Sequence, residues 1–204
     1  MRNCIKEFKI NLKVNKEVLY KNLHIYEGSN IYYTFEELYD ELKVLVSTME
    51  VKAAYIITAS FPLEIGEEVE KYVVCFLSTH CNLPKKLMDE GEYLKGYLLN
   101  EMIIHGIFNI SDEMDNQIRQ EVNQCGYKLS KRYAAGDGID LKNQGKFLEE
   151  LKKYISTDAI VNEQNVMEPA HSLLYIYTVK KGVNEEINPC LNCKNRNCPY
   201  KKVD

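Results

Sequence analysis

The chain has 204 residues, of which 45% are hydrophobic and 27% are charged, a composition typical of a globular protein with one ample core. Its net charge of −4 argues against nucleic-acid binding, because phosphate backbones are bound by a surplus of Lys and Arg on one face. No apolar run approaches the roughly 18–20 residues needed to span a bilayer, and the N-terminus lacks the apolar segment of a signal peptide. The seven cysteines are odd in number and partly scattered, unlike a secreted disulfide framework. We therefore expect a cytoplasmic protein with mostly reduced thiols and no membrane segment.

The first quarter of the chain predicts two helices. Residues 14–23 favour a short helix with Asn15 as its N-cap. Thr34 and Glu37 form a capping-box pattern, in which the hydroxyl and the carboxylate satisfy free backbone donors at a helix start. Apolar residues then recur on one helix face, namely Phe35, Leu38, Leu42, Leu45 and Val46. We thus expect an amphipathic helix that begins just after Thr34.

Two short apolar runs, residues 53–59 and 72–79, are rich in β-branched and aromatic side chains and predict buried strands. Pro62 and Gly66 lie between them, so an antiparallel, hairpin-like pairing is expected. After Pro84 the pattern becomes helical for about forty residues, with a possible break at residues 109–112.

Gly126 fits as the stop of that long helical stretch. A glycine-bearing loop at residues 132–138, a helix at about 142–155 and a strand at 173–179 complete the pattern. Because strands and helices come in separate blocks, we expect an α+β fold. We assign one domain to residues 1–185 and a cysteine-rich tail to residues 186–204.

Cys190, Cys193 and Cys198 form a C-x2-C-x4-C cluster in a polar tail with no apolar run to join. Three thiolates so close in sequence can bind zinc or an iron–sulfur cluster. Tetrahedral zinc needs a fourth ligand, for which another chain or three residues of this one are candidates, namely Cys4, His80 and Cys81. A tail with free, reduced thiols is the alternative.

Arg132 precedes small residues and glycines, so a ligand can approach the backbone while the guanidinium pairs with a carboxylate or phosphate. An ordinary turn after a helix explains the same residues. Glu163 and His171 are candidates for acid–base chemistry, although a loop that leads into a strand also accounts for them. His105 lies near an apolar helix stripe and is expected to be a core histidine.

Taken in order, these segments resemble a known family. Residues 132–136, Arg-Tyr-Ala-Ala-Gly, resemble the R-x-S/A-P-G-Y loop of the reactivation domain of cobalamin-dependent methionine synthase. Residues 161–173 resemble the family segment L-T-E-S-x-x-M-x-P-x-x-S-V. Short stand-alone relatives end in a cysteine cluster followed by Pro-Tyr, as Cys198-Pro199-Tyr200 does here.

The resemblance implies a mainly antiparallel, twisted sheet with flanking helices, one of them long and central. It also implies an S-adenosylmethionine site in a shallow groove, with Arg132, Ala134 and Gly136 as contacts. Such a domain supports reductive reactivation of cobalamin, which a corrinoid protein or methionine synthase modules would supply, with flavodoxin as the reductant. The chain would then be an accessory to a methyltransferase rather than a complete enzyme.

The chain departs from the family pattern in the ligand loop. The family's P-G-Y reads Ala135-Gly136-Asp137, and its T-E-S reads Asn162-Glu163-Gln164. One alternative function is therefore a metal- or iron–sulfur-binding redox or accessory module on the same fold that has lost S-adenosylmethionine binding. A scaffold that binds a partner protein and neither ligand is another.

Overall fold

A computed structural model describes residues 4–63 and 69–182. In chain order the elements are β1 (Cys4–Asn11), α1 (Lys16–Asn22), α2 (Tyr32–Thr48), β2 (Glu50–Thr58), β3 (Lys71–Ser78), α3 (Leu83–Asp89), α4 (Tyr93–Gln124), β4 (Tyr127–Ala135), β5 (Gly138–Ile139), a 3-10 turn (Leu141–Asn143), α5 (Gln144–Leu151), β6 (Ile160–Val161), β7 (Met167–Glu168) and β8 (Ser172–Lys181). The expected α+β class and long helix are confirmed.

One six-stranded sheet organises the described residues, in the order β1-β2-β3-β8-β4-β5. Its pairings are antiparallel except for the short parallel contact of β4 with β5. The strands predicted at 53–59 and 72–79 do form an antiparallel pair, with Ala54 opposite Phe76. A separate two-stranded ribbon joins β6 to β7.

Each face of the sheet carries its own apolar core. On one face, α1, α2 and α4 pack against the inward side chains of β2, β3 and β8, including Tyr55, Cys75, Tyr175 and Tyr177. On the other face, α5 and the β6–β7 ribbon cover a second set, including Ala54, Val74 and Ile176. Both faces of the central strands are thus buried, which explains their near-continuous apolar sequences. Within the described part of the chain, no helix combines the length and apolarity that crossing a membrane requires.

Of the two helix caps predicted near the N-terminus, the structure confirms the one at Asn15 and not the one at Thr34. The Val18 N–H donates to Asn15 Oδ1 at 3.2 Å, as expected for an N-cap. The capping box at Thr34 is wrong: α2 begins at Tyr32, and its N-cap residue Ile31 makes no side-chain cap hydrogen bond. The Tyr32 ring packs edge-on against Tyr20, with centroids 6.5 Å apart. Helix α2 therefore begins two residues before Thr34, at a residue that packs against α1.

The long helical stretch is divided at Gly91, with φ of +91°, rather than at residues 109–112. It gives the short α3 and the 32-residue α4. The predicted stop at Gly126 is confirmed: its φ is +76°, and its N–H donates to the Asn123 carbonyl at 2.9 Å. The last helix, α5, is shorter than the predicted 142–155 because a 3-10 turn precedes it and turns follow Leu151.

Candidate functional site

Arg132 and Ala134 lie within strand β4, not in a loop as the sequence suggested. Arg132 is opposite Tyr177 of β8, and Ala134 is opposite Tyr175. All four belong to the face that α4 covers, whereas Tyr133 points to the other core. The site is therefore a seam between α4 and the paired strands β4 and β8, lined by Ser111, Asp115, Arg132, Tyr175 and Tyr177; we call it the α4–β8 seam.

A β-bulge places Arg132 on this face. Leu129 is opposite Val179, yet Arg132, three positions later, is opposite Tyr177, only two positions earlier in β8. One extra residue in β4 therefore reverses the alternation of side chains beyond Leu129. In a regular strand, Lys131 would occupy the position opposite Tyr177. Instead Lys131 is exposed, and its Nζ lies 5.1 Å from the centroid of the Tyr133 ring.

The Arg132 guanidinium rests on an aromatic ring. Its Cζ lies 3.9 Å from the centroid of the Tyr175 ring. Among residues 4–63 and 69–182, no hydrogen bond or ion pair is formed by this guanidinium, although the side chain is partly buried. Burial alone would lower the pKa of Arg132, but Tyr175, Tyr177 and Asp115 around it raise that pKa above its ordinary value. The site thus holds a cation whose N–H donors have no acceptor in the described chain.

Asp115 supplies a buried carboxyl group from α4. Its Oδ1 accepts a hydrogen bond from the Tyr175 hydroxyl at 2.8 Å, and its Oδ2 accepts one from the Tyr177 hydroxyl at 2.7 Å. Ser111, one turn earlier, donates to the Tyr175 hydroxyl at 3.0 Å. Burial raises the pKa of Asp115, while Arg132 and the two tyrosine hydroxyls oppose that rise. The carboxyl group therefore fixes both tyrosines and lies in the electrostatic field of Arg132.

The turn after β4 uses its backbone groups internally. The Ala134 N–H donates to the Asp137 carbonyl at 3.0 Å, and the Asp137 N–H donates back to the Ala134 carbonyl at 2.8 Å. The Gly136 N–H donates to the Ile139 carbonyl at 3.0 Å. Gly136 is exposed, with φ of +83°, so the turn itself requires a glycine there. These three N–H groups therefore already have partners, and the Arg132 side chain carries the donors that remain.

The other predicted residues lie elsewhere. Glu163 is exposed in the turn between β6 and β7. His171 is buried; its Nε2 lies 3.0 Å from Asn100 Oδ1, and burial lowers its pKa. Asn100 and Asp115 are about 20 Å apart along α4, so His171 is not part of the α4–β8 seam. His105 is buried, as expected of a core histidine.

Cys190, Cys193 and Cys198 lie outside the described residues, so metal binding by the tail stays a prediction. Within the described ranges, no group of three or more His, Cys, Asp and Glu side chains is arranged to hold a metal ion. His80, one candidate for a fourth ligand, instead contacts Asp158 at 3.1 Å on the surface.

Sequence reasoning missed Asp115, Tyr175 and Tyr177. A signal was present, because Ser111, Asp115 and Arg119 recur at four-residue spacing beside the apolar stripe of α4. The Arg119 Cζ lies 5.6 Å from the centroid of the Tyr177 ring, so this polar row continues along the seam. A polar row next to the apolar stripe of a helix, together with a Tyr-x-Tyr strand, predicts a buried polar network.

Comparisons with known proteins give a structural match only. No protein-family model matches the chain, and no curated protein matches it. A solved structure described as the "Crystal Structure of the MetH Reactivation Domain bound to AdoHcy" superposes with a TM-score of 0.63, covering 90% of this chain and 80% of that chain. The fold is that of the MetH reactivation domain. At 8% sequence identity the likeness shows the fold alone. The match nevertheless confirms the fold that the Arg132 segment and residues 161–173 suggested.

Proposed function

We propose that the chain binds S-adenosylmethionine or S-adenosylhomocysteine in the α4–β8 seam, as a module that supports reductive reactivation of cobalamin. Two observations support the proposal: the fold matches a reactivation domain solved with AdoHcy, and Arg132 has no acceptor among the described residues. The second observation carries more weight, because it concerns the chemistry of this chain.

The seam suits the amino-acid end of such a ligand. A methionyl or homocysteinyl group carries a carboxylate and an ammonium on one carbon. Arg132 would bind the carboxylate through a pair of N–H donors. Asp115, whose oxygens each accept one tyrosine hydroxyl and retain a further lone pair, would attract the ammonium. The residues present therefore fit the ligand by charge and by hydrogen-bonding capacity.

The rest of the reaction belongs to partners. In the proposed role, cobalamin is supplied by a corrinoid protein or by methionine synthase modules, and flavodoxin supplies the electron. The ligand contributes a methyl group, and the chain binds and orients it. The chain is therefore an accessory to a methyltransferase.

Calorimetric titration of the full chain with S-adenosylhomocysteine tests the proposal. We expect Arg132→Ala to weaken binding by roughly 10- to 100-fold, because a charge-assisted hydrogen-bonded pair contributes about 1.5–3 kcal/mol. Lys131→Ala is the matched control, since the neighbouring cation is exposed and lies over Tyr133 rather than in the seam. No heat from the wild type at millimolar ligand, or equal affinity in Arg132→Ala, would contradict the proposal.

The cysteine cluster supports an alternative function, a metal- or iron–sulfur-binding accessory module on the same fold. If this is correct, protein purified without oxygen will contain zinc, or will show the visible absorption of an iron–sulfur cluster. Replacing Cys190, Cys193 and Cys198 by serine will remove it, because thiolates are the ligands. Cys125→Ser, at an exposed free cysteine after α4, should retain full metal content. Colourless, metal-free wild-type protein would exclude this function.

A further inference from the structure

Tyr175 lies directly beneath the guanidinium of Arg132, the cation to which the proposed function assigns the ligand carboxylate. The two groups are 3.9 Å apart, from the Arg132 Cζ to the ring centroid. A guanidinium stacked on a ring keeps its N–H donors at the rim, where they can form a fork with a planar carboxylate. The Tyr175 ring is therefore placed to decide where those donors lie.

The ring is itself held firmly. Tyr175 is 0% exposed, its hydroxyl donates to Asp115, and it accepts from Ser111. Across the strands its neighbours are Cys75 of β3 and Ala134 of β4. A ring fixed at its hydroxyl and on both strand sides cannot turn, so it offers a rigid platform to a long and otherwise flexible side chain.

In the proposed site the ligand carboxylate is bound by Arg132, because three backbone N–H groups of the adjoining turn already have acceptors. The N–H groups of Ala134, Gly136 and Asp137 all donate within the turn. We propose that Tyr175 is a positioning residue that holds Arg132 in its binding geometry and so makes the site selective for ligands with a free α-carboxylate. This inference rests on the proposed function of the α4–β8 seam.

The experiment compares two ligands that differ at one group, S-adenosylhomocysteine and its α-carboxamide. Both have the same nucleoside and the same ammonium, but only the first carries the carboxylate. We expect the wild type to prefer the carboxylate by at least tenfold. Tyr175→Leu removes the ring and should reduce that preference to under about threefold, with affinity for the carboxamide nearly unchanged. Tyr175→Phe keeps the ring face and should keep most of the preference.

The outcomes separate this inference from the proposed function. If wild-type protein binds neither ligand, both are overturned. Suppose that the wild type is selective. If Tyr175→Leu is equally selective, or lowers the affinity for both ligands by the same factor, then Tyr175 has a structural role and only the positioning inference fails. A Tyr175→Phe variant as unselective as Tyr175→Leu would also overturn the role of the ring face. Should Tyr175→Leu melt below the assay temperature, Tyr175→Met fills more of the volume without an aromatic face and is subject to the same criteria.

Discussion

Asp115→Ala is expected to lower the free energy of unfolding by about 3 kcal/mol. The substitution leaves the buried Tyr177 hydroxyl without its acceptor at Oδ2 and removes the partner of the Tyr175 hydroxyl at Oδ1. Tyr175 can donate to Ser111 instead, so Tyr177 bears most of the loss. Arg132 also loses the nearby negative charge. Urea unfolding followed by circular dichroism measures the change.

Two further variants show whether the network is the cause. Glu113→Ala, at an exposed acid on the same helix, should change stability by no more than about 0.5 kcal/mol. In a Tyr177→Phe background, Asp115→Ala should be less costly, because the orphaned hydroxyl is already absent. Equal costs in both backgrounds would show that the Asp115–Tyr177 hydrogen bond contributes nothing.

The same carboxyl group gives a pH dependence with a definite sign. The pKa of Asp115 is raised in the folded protein from its ordinary value of 3.8, so the folded state binds this proton more tightly than the unfolded state. Protonated Asp115 therefore adds to the free energy of unfolding at pH values below 3.8, and this stabilisation is lost as the pH rises through the pKa of the folded protein. The wild type should therefore lose stability relative to Asp115→Asn as the pH rises above 3.8. A difference that moves in the opposite direction would mean that Arg132 and the hydroxyls outweigh burial.

Gly96→Ala is expected to destabilise the protein by about 2 kcal/mol, although alanine is the better helix former by about 1 kcal/mol. A Cβ at Gly96 would lie 2.7 Å from the Pro84 carbonyl oxygen and 2.8 Å from Met88 Cγ. Met88 could rotate away, but the carbonyl belongs to the backbone of α3. The clash therefore requires α3 and α4 to separate. Thermal unfolding should show a decrease of roughly 4–8 °C for a chain of this size.

The matched control is Gly145→Ala in α5. There a Cβ would have only Val161 Cβ as a neighbour, at 4.0 Å, an ordinary contact. With no clash, the lower entropy of the unfolded chain should stabilise the protein by up to about 1 kcal/mol. Opposite signs at the two helical glycines are the expected result. A stabilising Gly96→Ala would show that the α3–α4 contact is looser than described.

The sequence was most informative where one local pattern determines one element. The apolar runs at 53–59 and 72–79 and the stop at Gly126 were correctly predicted, because burial and backbone conformation there leave few alternatives. The predicted start of α2 was wrong: Tyr32, the first residue of the helix, packs against the Tyr20 ring of α1, a contact that the local capping pattern does not contain. Strand β4 (Tyr127–Ala135) was not predicted. The extra residue between Leu129 and Arg132 interrupts the alternation of buried and exposed side chains by which a strand is recognised.

The candidate site could be predicted only in part. The sequence singled out Arg132, because an arginine before small residues suggests ligand binding. It could not show that Tyr175 lies beneath the guanidinium or that the Tyr175 hydroxyl donates to Asp115, because both contacts join segments far apart in the chain. Ala134 and Gly136 were selected by resemblance, and their N–H groups have internal partners that only the folded turn reveals.

The bulge in β4 determines which of two adjacent cations faces the α4–β8 seam. Lys131 and Arg132 are adjacent in the strand, and the extra residue places Arg132, rather than Lys131, opposite Tyr177. A regular strand would deliver lysine, a compact point charge without the planar fork that suits a carboxylate. Under the proposed function, loss of the bulge with no change in sequence length would therefore replace a carboxylate-binding fork by a point charge and turn Arg132 to the other face of the strand. The register of β4, as much as the identity of its residues, would then set the ligand preference of the proposed site.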